Sequence, residues 1–447
     1  MTDNDHDIDG FFSTARVSAR DEAVELDDSN FRNHLYDLDD PALAPWRGMN
    51  YEEFTAARQD NEFLQQLLND WNALYQEPFF GITSDGTLRD VHQLGDPLPG
   101  NAALIAAARG LLTALGPEER ERVQYPLDAG EWRAWSNPEF VFHRVGLRLE
   151  NLSVEIIEAV CTVLRAALSA EGYEQVREAM ALNGFLGKLV ELPGVMNEHS
   201  YWFSIFGEPA QDAPWGFQLF GHHVAVNFFT VDGHDVVAPV FIGAEPALTG
   251  ERPPIFDERE RLALRLAGSL SETQRSRCVV YDSVLDPAMP EGRLHPADER
   301  HVAGAFRDNR VVPHEGIKAS EFDDEQRGML RKIVEDFHLL SREPQRERLM
   351  AQFDRFLDDT WFSWYGETDG SSPIYFRIHS PVVLAELDNH AGVWLSNRLP
   401  ARFHVHSVLR LPNGNDYGRA FLAQWRARQE DDATVETTNS EQITNSE

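Results

Sequence analysis

Two stretches of this chain repeat one pattern at a constant separation of 159 residues. Residues 201–229, YWFSIFGEPAQDAPWGFQLFGHHVAVNFF, and residues 360–388, TWFSWYGETDGSSPIYFRIHSPVVLAELD, align without gaps and agree at eight of twenty-nine positions. The agreement includes Trp202, Phe203, Ser204, Gly207 and Glu208 against Trp361, Phe362, Ser363, Gly366 and Glu367. A repeated unit of this size constrains the fold strongly, because two copies bury their apolar faces against one another or against shared neighbours. Chance similarity of two aromatic strands is the plainer alternative, but the surrounding elements also recur in order. Upstream of the first copy Ile157, Val160, Cys161, Leu164 and Leu168 share a helix face; upstream of the second, Leu330, Ile333, Val334 and Phe337 do. The first copy carries roughly eleven extra residues near 183–193. Downstream, VVAPVFIGAEP (236–246) lies over RFHVHSVLRLP (402–412).

Strands are expected at 217–231 and 236–242, then at 374–378, 382–388 and 402–411, with Val393-Trp394 a further piece. The expected fold is α+β: two related helix-plus-antiparallel-sheet halves, an internal duplication, with an N-terminal helical layer. That layer is read from residues 51–76, where Phe54, Phe63, Leu64, Leu67, Leu68, Trp71 and Leu74 keep helical spacing. It continues in the Ala/Leu-rich 101–115, bounded by turn signals. Trp132, Trp135, Phe140 and Phe142 follow in an irregular or β segment. Residues 1–150 therefore form an acidic N-terminal segment, mobile at its start, and the helical layer; 151–250 form the first repeat. Residues 251–322 form a connection with a helix at 257–270, where Asp257 and Glu260 have capping-box spacing, and a strand-like CVVY at 278–281. Residues 323–427 form the second repeat with the candidate site, and 428–447 a polar tail expected to be disordered.

Charge narrows the classes of function. Asp plus Glu total 74 against 40 Lys plus Arg, and only Lys188, Lys318 and Lys332 are lysines. A net charge of −34 repels nucleic acid and anionic membrane, since no counterions are released on contact. It suits a halophilic cytoplasm, where salt screens self-repulsion; a merely acidic protein is the alternative. MTDNDHDIDG lacks the basic and apolar regions of a secretory signal, and no apolar run reaches the ~20 residues that span a bilayer. A cytoplasmic location is expected. Cys161 and Cys278 fall in apolar patterns, so they are expected to be buried thiols and not nucleophiles.

Chemistry concentrates between His379 and Gly418, which hold His379, Glu386, Asp388, His390, His404 and His406. Residues two apart on a strand face the same way, so His404 and His406 can meet one metal ion. Glu386, Asp388 and His390 share a face by the same rule. Glu386 aligns with Asn227, and His223 lies on the face of Asn227, so a pseudo-twofold packing would bring both to the same centre. His-x-His with a carboxylate is the ligand set of many zinc and non-haem iron sites. The expected metal ligands are His404, His406 and Glu386, with His390 or His223 as the fourth. Asp388, Asp416 and His223 are candidate catalytic groups, Asp388 as base or as orienter of a ligand. His222, Asn227, Asn413, Asn415, His314 and Glu315 are candidates for substrate contacts. PNGNDYG (412–418) is first of all turn chemistry, and one of His222 and His223 is expected to face the site. Glu208 and Glu367 are expected to be structural, and Glu245, which could supply a carboxylate from the first half, is not expected to do so. Phosphate and dinucleotide loops, Gly-x-Ser-x-Gly and His-Glu-x-x-His are absent from the sequence.

The segments YWFSIFG (201–207), GHHVAVN (221–227), FIGAEP (241–246), HEGI (314–317), ELD (386–388), FHVHSVLR (403–410) and PNGNDYG (412–418) together resemble the domain-of-unknown-function family 3500. The resemblance spans roughly residues 152–425 and implies kinship without an activity. The leading expectation is a metal-dependent enzyme in which a divalent ion, zinc first and iron or copper next, activates water to hydrolyse a small-molecule substrate. An iron or copper oxidoreductase using the same ligands is one alternative. A non-catalytic binding protein with an aromatic-lined pocket between the halves is the other.

Overall fold

A computed structural model describes residues 30–59, 61–140, 143–250 and 252–444, with side chains to residue 431. The mobility expected of the first residues, and Phe142, lie outside this range. One mixed sheet of 12 strands organises the molecule. Its strands are β1 (Gln124–Tyr125), β2 (Leu147–Arg148), β3 (Tyr201–Phe206), β4 (Trp215–Gly221), β5 (Val224–Val231) and β6 (His234–Ala244). They continue as β7 (Val279–Tyr281), β8 (Ile317–Lys318), β9 (Trp361–Tyr365), β10 (Tyr375–His379), β11 (Leu384–Asn389) and β12 (Val405–Arg410). The order across the sheet is β1-β3-β4-β5-β6-β12-β11-β10-β9-β7, with β2 on β3 and β8 on β9. Only the outermost pairs, β1 with β3 and β7 with β9, are parallel. The fold is α+β.

Registers recur across the sheet. Trp202 pairs with Phe220 and Gln218 with Asn227; 159 residues later Trp361 pairs with His379 and Arg377 with Glu386. Gly146 and Gly316, just before β2 and β8, both have positive φ, and a Cβ on either would sit 2.0 or 2.1 Å from the carbonyl oxygen of Phe203 or Phe362. The same close crossing is thus made twice, by the residue type that permits it. The overlay of 236–246 on 402–412 needs correction. Ala225 pairs with Phe241 and Leu384 with Arg410, so β6 and β12 match three residues further on.

Both sheet faces are covered, which explains why β4, β5 and β6 read as nearly continuous apolar runs and not as alternating ones. On one face Phe203, Phe217, Leu219, Phe376 and Ile378 pack with Val160, Leu164, Leu266 and Leu330. These come from helices Val154–Ala167, Asp257–Gly268 and Asp324–Phe337. On the other, Phe206, Phe220, Phe241, Leu384 and Val408 pack with Phe54, Leu67, Trp71, Trp132 and Phe306. Each such fully buried side chain contributes ~1.5–3 kcal/mol relative to exposure.

Local differences from expectation have local causes. Residues 51–76 form two helices, Tyr51–Arg58 and Glu62–Gln76, each begun by an asparagine cap. They cover one sheet face, whereas helix Ala102–Ala114 packs on the opposite one beside Val154–Ala167. The N-terminal helices are therefore divided between two faces. The strand expected over 217–231 breaks at His222-His223, where His223 takes φ 65°. Asp257 does not cap its helix: the N-cap is Phe256, and Glu260 instead pairs with Arg402. Val393-Trp394 is not a strand. The tail expected to be disordered continues as helix Arg419–Thr444. Cys161 and Cys278 are buried and free. No helix among the described residues is long and apolar enough to cross a membrane.

Candidate metal centre

The seam of the sheet, where β6 meets β12, positions the site. His406 in β12 pairs across to Gly243 in β6 and, on its other side, to Asp388 in β11. A Cβ on Gly243 would lie 2.6 Å from His406 Cδ2 and 3.0 Å from His223 Cδ2. The glycine thus makes the space into which both rings project. The turn between β4 and β5 swings His223 over this gap, tied by the Gly243 N–H donating to its carbonyl at 2.8 Å. Phe241 lies edge-on to His406 at 5.1 Å and closes the floor.

Five histidines converge here, each between 1 and 3 % exposed: His223, His301, His390, His404 and His406. His223, His404 and His406 form one group whose ligand atoms lie within 4.8 Å of one another; His301, His390 and His406 form a second, and Glu299, Asp388 and His390 a third. His404 Nδ1 lies 2.6 Å from the Ala391 carbonyl, so this nitrogen is the N–H donor and Nε2 carries the lone pair. That Nε2 faces His406 Nε2 at 3.1 Å. Two nitrogens bound at ~2.0–2.1 Å to one tetrahedral ion lie roughly 3.3 Å apart, so the spacing suits a shared cation. Burial first, then neighbouring imidazoles, hold His223, His404 and His406 well below the ordinary histidine range. They are neutral, the form that binds a metal.

The carboxylates stand one step behind. Glu386, expected as a ligand, belongs to none of these groups. It accepts from Tyr375 Oη at 2.7 Å, Val302 N at 2.9 Å and Ala303 N at 3.0 Å, and its Oε2 is 3.6 Å from His301 Nδ1. Burial raises its pKa, but His301 and these donors bring it below the usual value. Asp388 accepts from Arg300 Nε at 2.6 Å and lies 3.1 Å from His390 Nε2. Arg300, more than His390, overcomes burial and holds Asp388 well below the usual carboxylate range. Both candidate roles of Asp388, base or orienter, would act through this contact with His390. Glu245 accepts from the backbone N–H groups of Val393, Trp394 and Leu395. Burial pushes it up to about 7 against those three donors.

The remaining candidates lie elsewhere or are already engaged. His222 stacks on His223 at 3.8 Å, but its Nδ1 meets Asn183 Oδ1 at 2.8 Å. Of the pair only His223 joins the centre. Asn227 faces the right side of the sheet, yet its amide accepts from Gln218 and donates to the Pro239 carbonyl. Asp416 is paired with Arg410 at 2.8 Å and caps Leu411 N. Asn413 joins Arg89 N to the Pro381 carbonyl, and Asn415 accepts from Phe421 N. These three hold the 412–418 turn in place. His314 stacks on Trp361 and stands 4.7 Å from His379, while Glu315 binds Tyr365 Oη and Arg377. That second polar cluster lies on β9 and β10. A cavity of about 730 Å³ opens beside β1, between Arg120, Tyr125 and Glu208.

Glu299, Arg300 and His301 come from the connection between the halves and were not foreseen. A density of ionisable residues in LHPADERHVAG (294–304) was their only signal. Burial lowers the pKa of His301, but the Glu386 carboxylate beside it raises it overall.

No curated protein and no solved structure matches the chain. A family model does, over residues 100–419, beginning some fifty residues before the resemblance read over roughly 152–425. The chain that carries this histidine centre thus belongs to the family described as "Protein of unknown function (DUF3500)".

Proposed function

We propose that this protein is a metal-dependent enzyme whose His223, His404 and His406 hold a divalent ion. The observation that carries the reading is the 3.1 Å approach of two imidazole Nε2 atoms, one with its tautomer fixed by the Ala391 carbonyl, in a buried neutral cluster. Three histidines leave a coordination position open, as catalytic zinc sites do. A bound ion there would bring the pKa of its water toward ~7, which favours hydrolysis of a small molecule. Asp388 and Arg300 hold His390 in place, and Glu386 holds His301. An iron or copper oxidoreductase is the second reading, favoured by a ligand set made wholly of imidazole in a site closed to solvent.

The recurring registers and the paired Gly146 and Gly316 support descent of the two halves from one duplicated unit. The net charge of −34 with three lysines supports a cytoplasm of high salt.

Elemental analysis of protein purified in high salt, without chelator or histidine tag, tests the reading beside the double substitution His404→Ala/His406→Ala. Zinc, iron or copper bound in stoichiometric amount and lost from the double variant is expected, and the element separates hydrolysis from redox chemistry. No metal in either protein, with both folded and no uptake on titration, would overturn it and leave a non-catalytic binding protein.

A further inference from the structure

The histidine groups are not independent, because His406 belongs to two of them. Its Nε2 faces His404, and its Nδ1 is buried without a hydrogen-bond partner. A single nitrogen serves one ion. Two ions around His406 therefore require one at each ring nitrogen.

The far side of His406 is built for the second. His390 lies against it with ring centroids 3.8 Å apart, and His301 stands parallel to it at 6.2 Å. Both ring nitrogens of His301 are buried without a hydrogen bond, and His390 Nε2 meets Asp388 without hydrogen-bond geometry. Buried polar atoms are normally satisfied, so three imidazoles that carry unbonded nitrogens and whose ligand atoms lie within 4.8 Å of one another call for a ligand. Carboxylates stand behind two of the rings: Glu386 Oε2 is 3.6 Å from His301 Nδ1, and Glu299 Oε1 is 3.7 Å from His390 Nδ1. A carboxylate behind a histidine fixes the ring for metal binding.

We propose that the centre is dinuclear, with a second transition-metal ion held by His301, His390 and His406 and the His406 ring bridging the two ions. The proposal rests on the metal reading above and extends it. An imidazole-only set selects zinc or copper over magnesium or calcium. Such a bridge would require His406 as its imidazolate, the displaced ring proton leaving to the buffer, with no change in oxidation state.

The test strips the full-length protein with chelator, confirms its fold by circular dichroism, and titrates it with zinc(II) and with copper(II). Two ions per chain are expected, falling to one in His301→Ala and in His390→Ala. His301→Gln serves where the alanine variant does not fold. With copper(II), the doubly loaded protein should show well under the electron paramagnetic resonance intensity of two isolated ions, since the imidazolate couples them. One ion per chain, unchanged by His301→Ala but lost in His223→Ala, would overturn the dinuclear proposal and leave the single-ion reading standing. Two ions at full spin intensity would overturn the bridge. No uptake of either ion would overturn both.

Discussion

Two places in the sheet share a register and differ in chemistry. In the first half Gln218 stands opposite Asn227; it donates to Asn227 Oδ1 and to the Trp132 carbonyl, and Asn227 donates to the Pro239 carbonyl. In the second, Arg377 stands opposite Glu386, and Glu386 reaches Tyr375, the 302–303 backbone and His301. Gly216, where a side chain would strike the Trp132 ring, occupies the place that Tyr375 fills 159 residues later. Phe229 stands where the second half has Asp388. The same backbone thus supports an apolar, amide-sealed patch on one side and buried charge on the other. The covering segment decides which: Trp132 closes the first, and the loop with Arg300 and His301 closes the second.

Acid is the bluntest way to break the histidine centre. His222 is pushed down to about 4, and His223, His404 and His406 well below 6.5, so the unfolded chain takes up protons before the folded one does. Their contribution is complete above 6.5 and lost as pH falls from there toward the folded values. Glu386 and Asp388, both depressed, add to the loss below 4.5 and 3.8. Glu245 and His301, shifted upward, work the other way but are fewer. Urea titrations of metal-free protein should show stability falling by at least ~1.4 kcal/mol per pH unit below 6.5, one proton's worth. A flat profile from pH 7 to 4.5 would contradict the buried neutral cluster.

Arg300→Met removes the guanidinium from the Asp388 carboxylate and should cost ~3–5 kcal/mol, against ~1–3 kcal/mol for Gln218→Ala, which strands two neutral acceptors, Asn227 Oδ1 and the Trp132 carbonyl. Equal losses in denaturant midpoints would mean that charge is not what separates the two places. Gly243→Ala drives a methyl against His406 and His223 and should cost ~1–3 kcal/mol together with the bound metal. Retention of metal by that variant would break the seam geometry. The finest comparison is Glu386→Gln against Asn227→Ala. The first should weaken metal binding ~10–100-fold, as loss of a carboxylate behind a ligand does. The second should leave affinity unchanged in competition with a chromogenic chelator.

The part of the site that could be read from sequence is the part that strand periodicity controls. His404 and His406, two apart, meet through their Nε2 atoms although β12 begins only at Val405, whereas His222 and His223 stack side by side in the turn between β4 and β5 and are told apart by their partners. Periodicity gives a face and not a depth. Glu386 and Asp388 point to the correct side, yet the backbone of Val302 and Ala303 and the side chain of Arg300 reach them first. Asn227 also points correctly, but a neighbouring strand supplies its partner. The loop carrying Glu299, Arg300 and His301 has no period, and its place over the sheet follows from long-range contacts alone. The aligned repeats indicated two similar meanders. That they join edge to edge through β6 and β12, and that the N-terminal helices divide between faces, depends on packing that short-range pattern does not encode.

The closed cover has a kinetic meaning. With the histidines no more than 3 % exposed, an ion enters or leaves only while the cover over the seam is displaced. The rate at which a strong chelator withdraws metal would then report the opening of that cover and not the strength of the bonds to the ion. An ion bound there would exchange slowly, at the pace of that opening, so loading of the folded metal-free protein would take as long as its withdrawal.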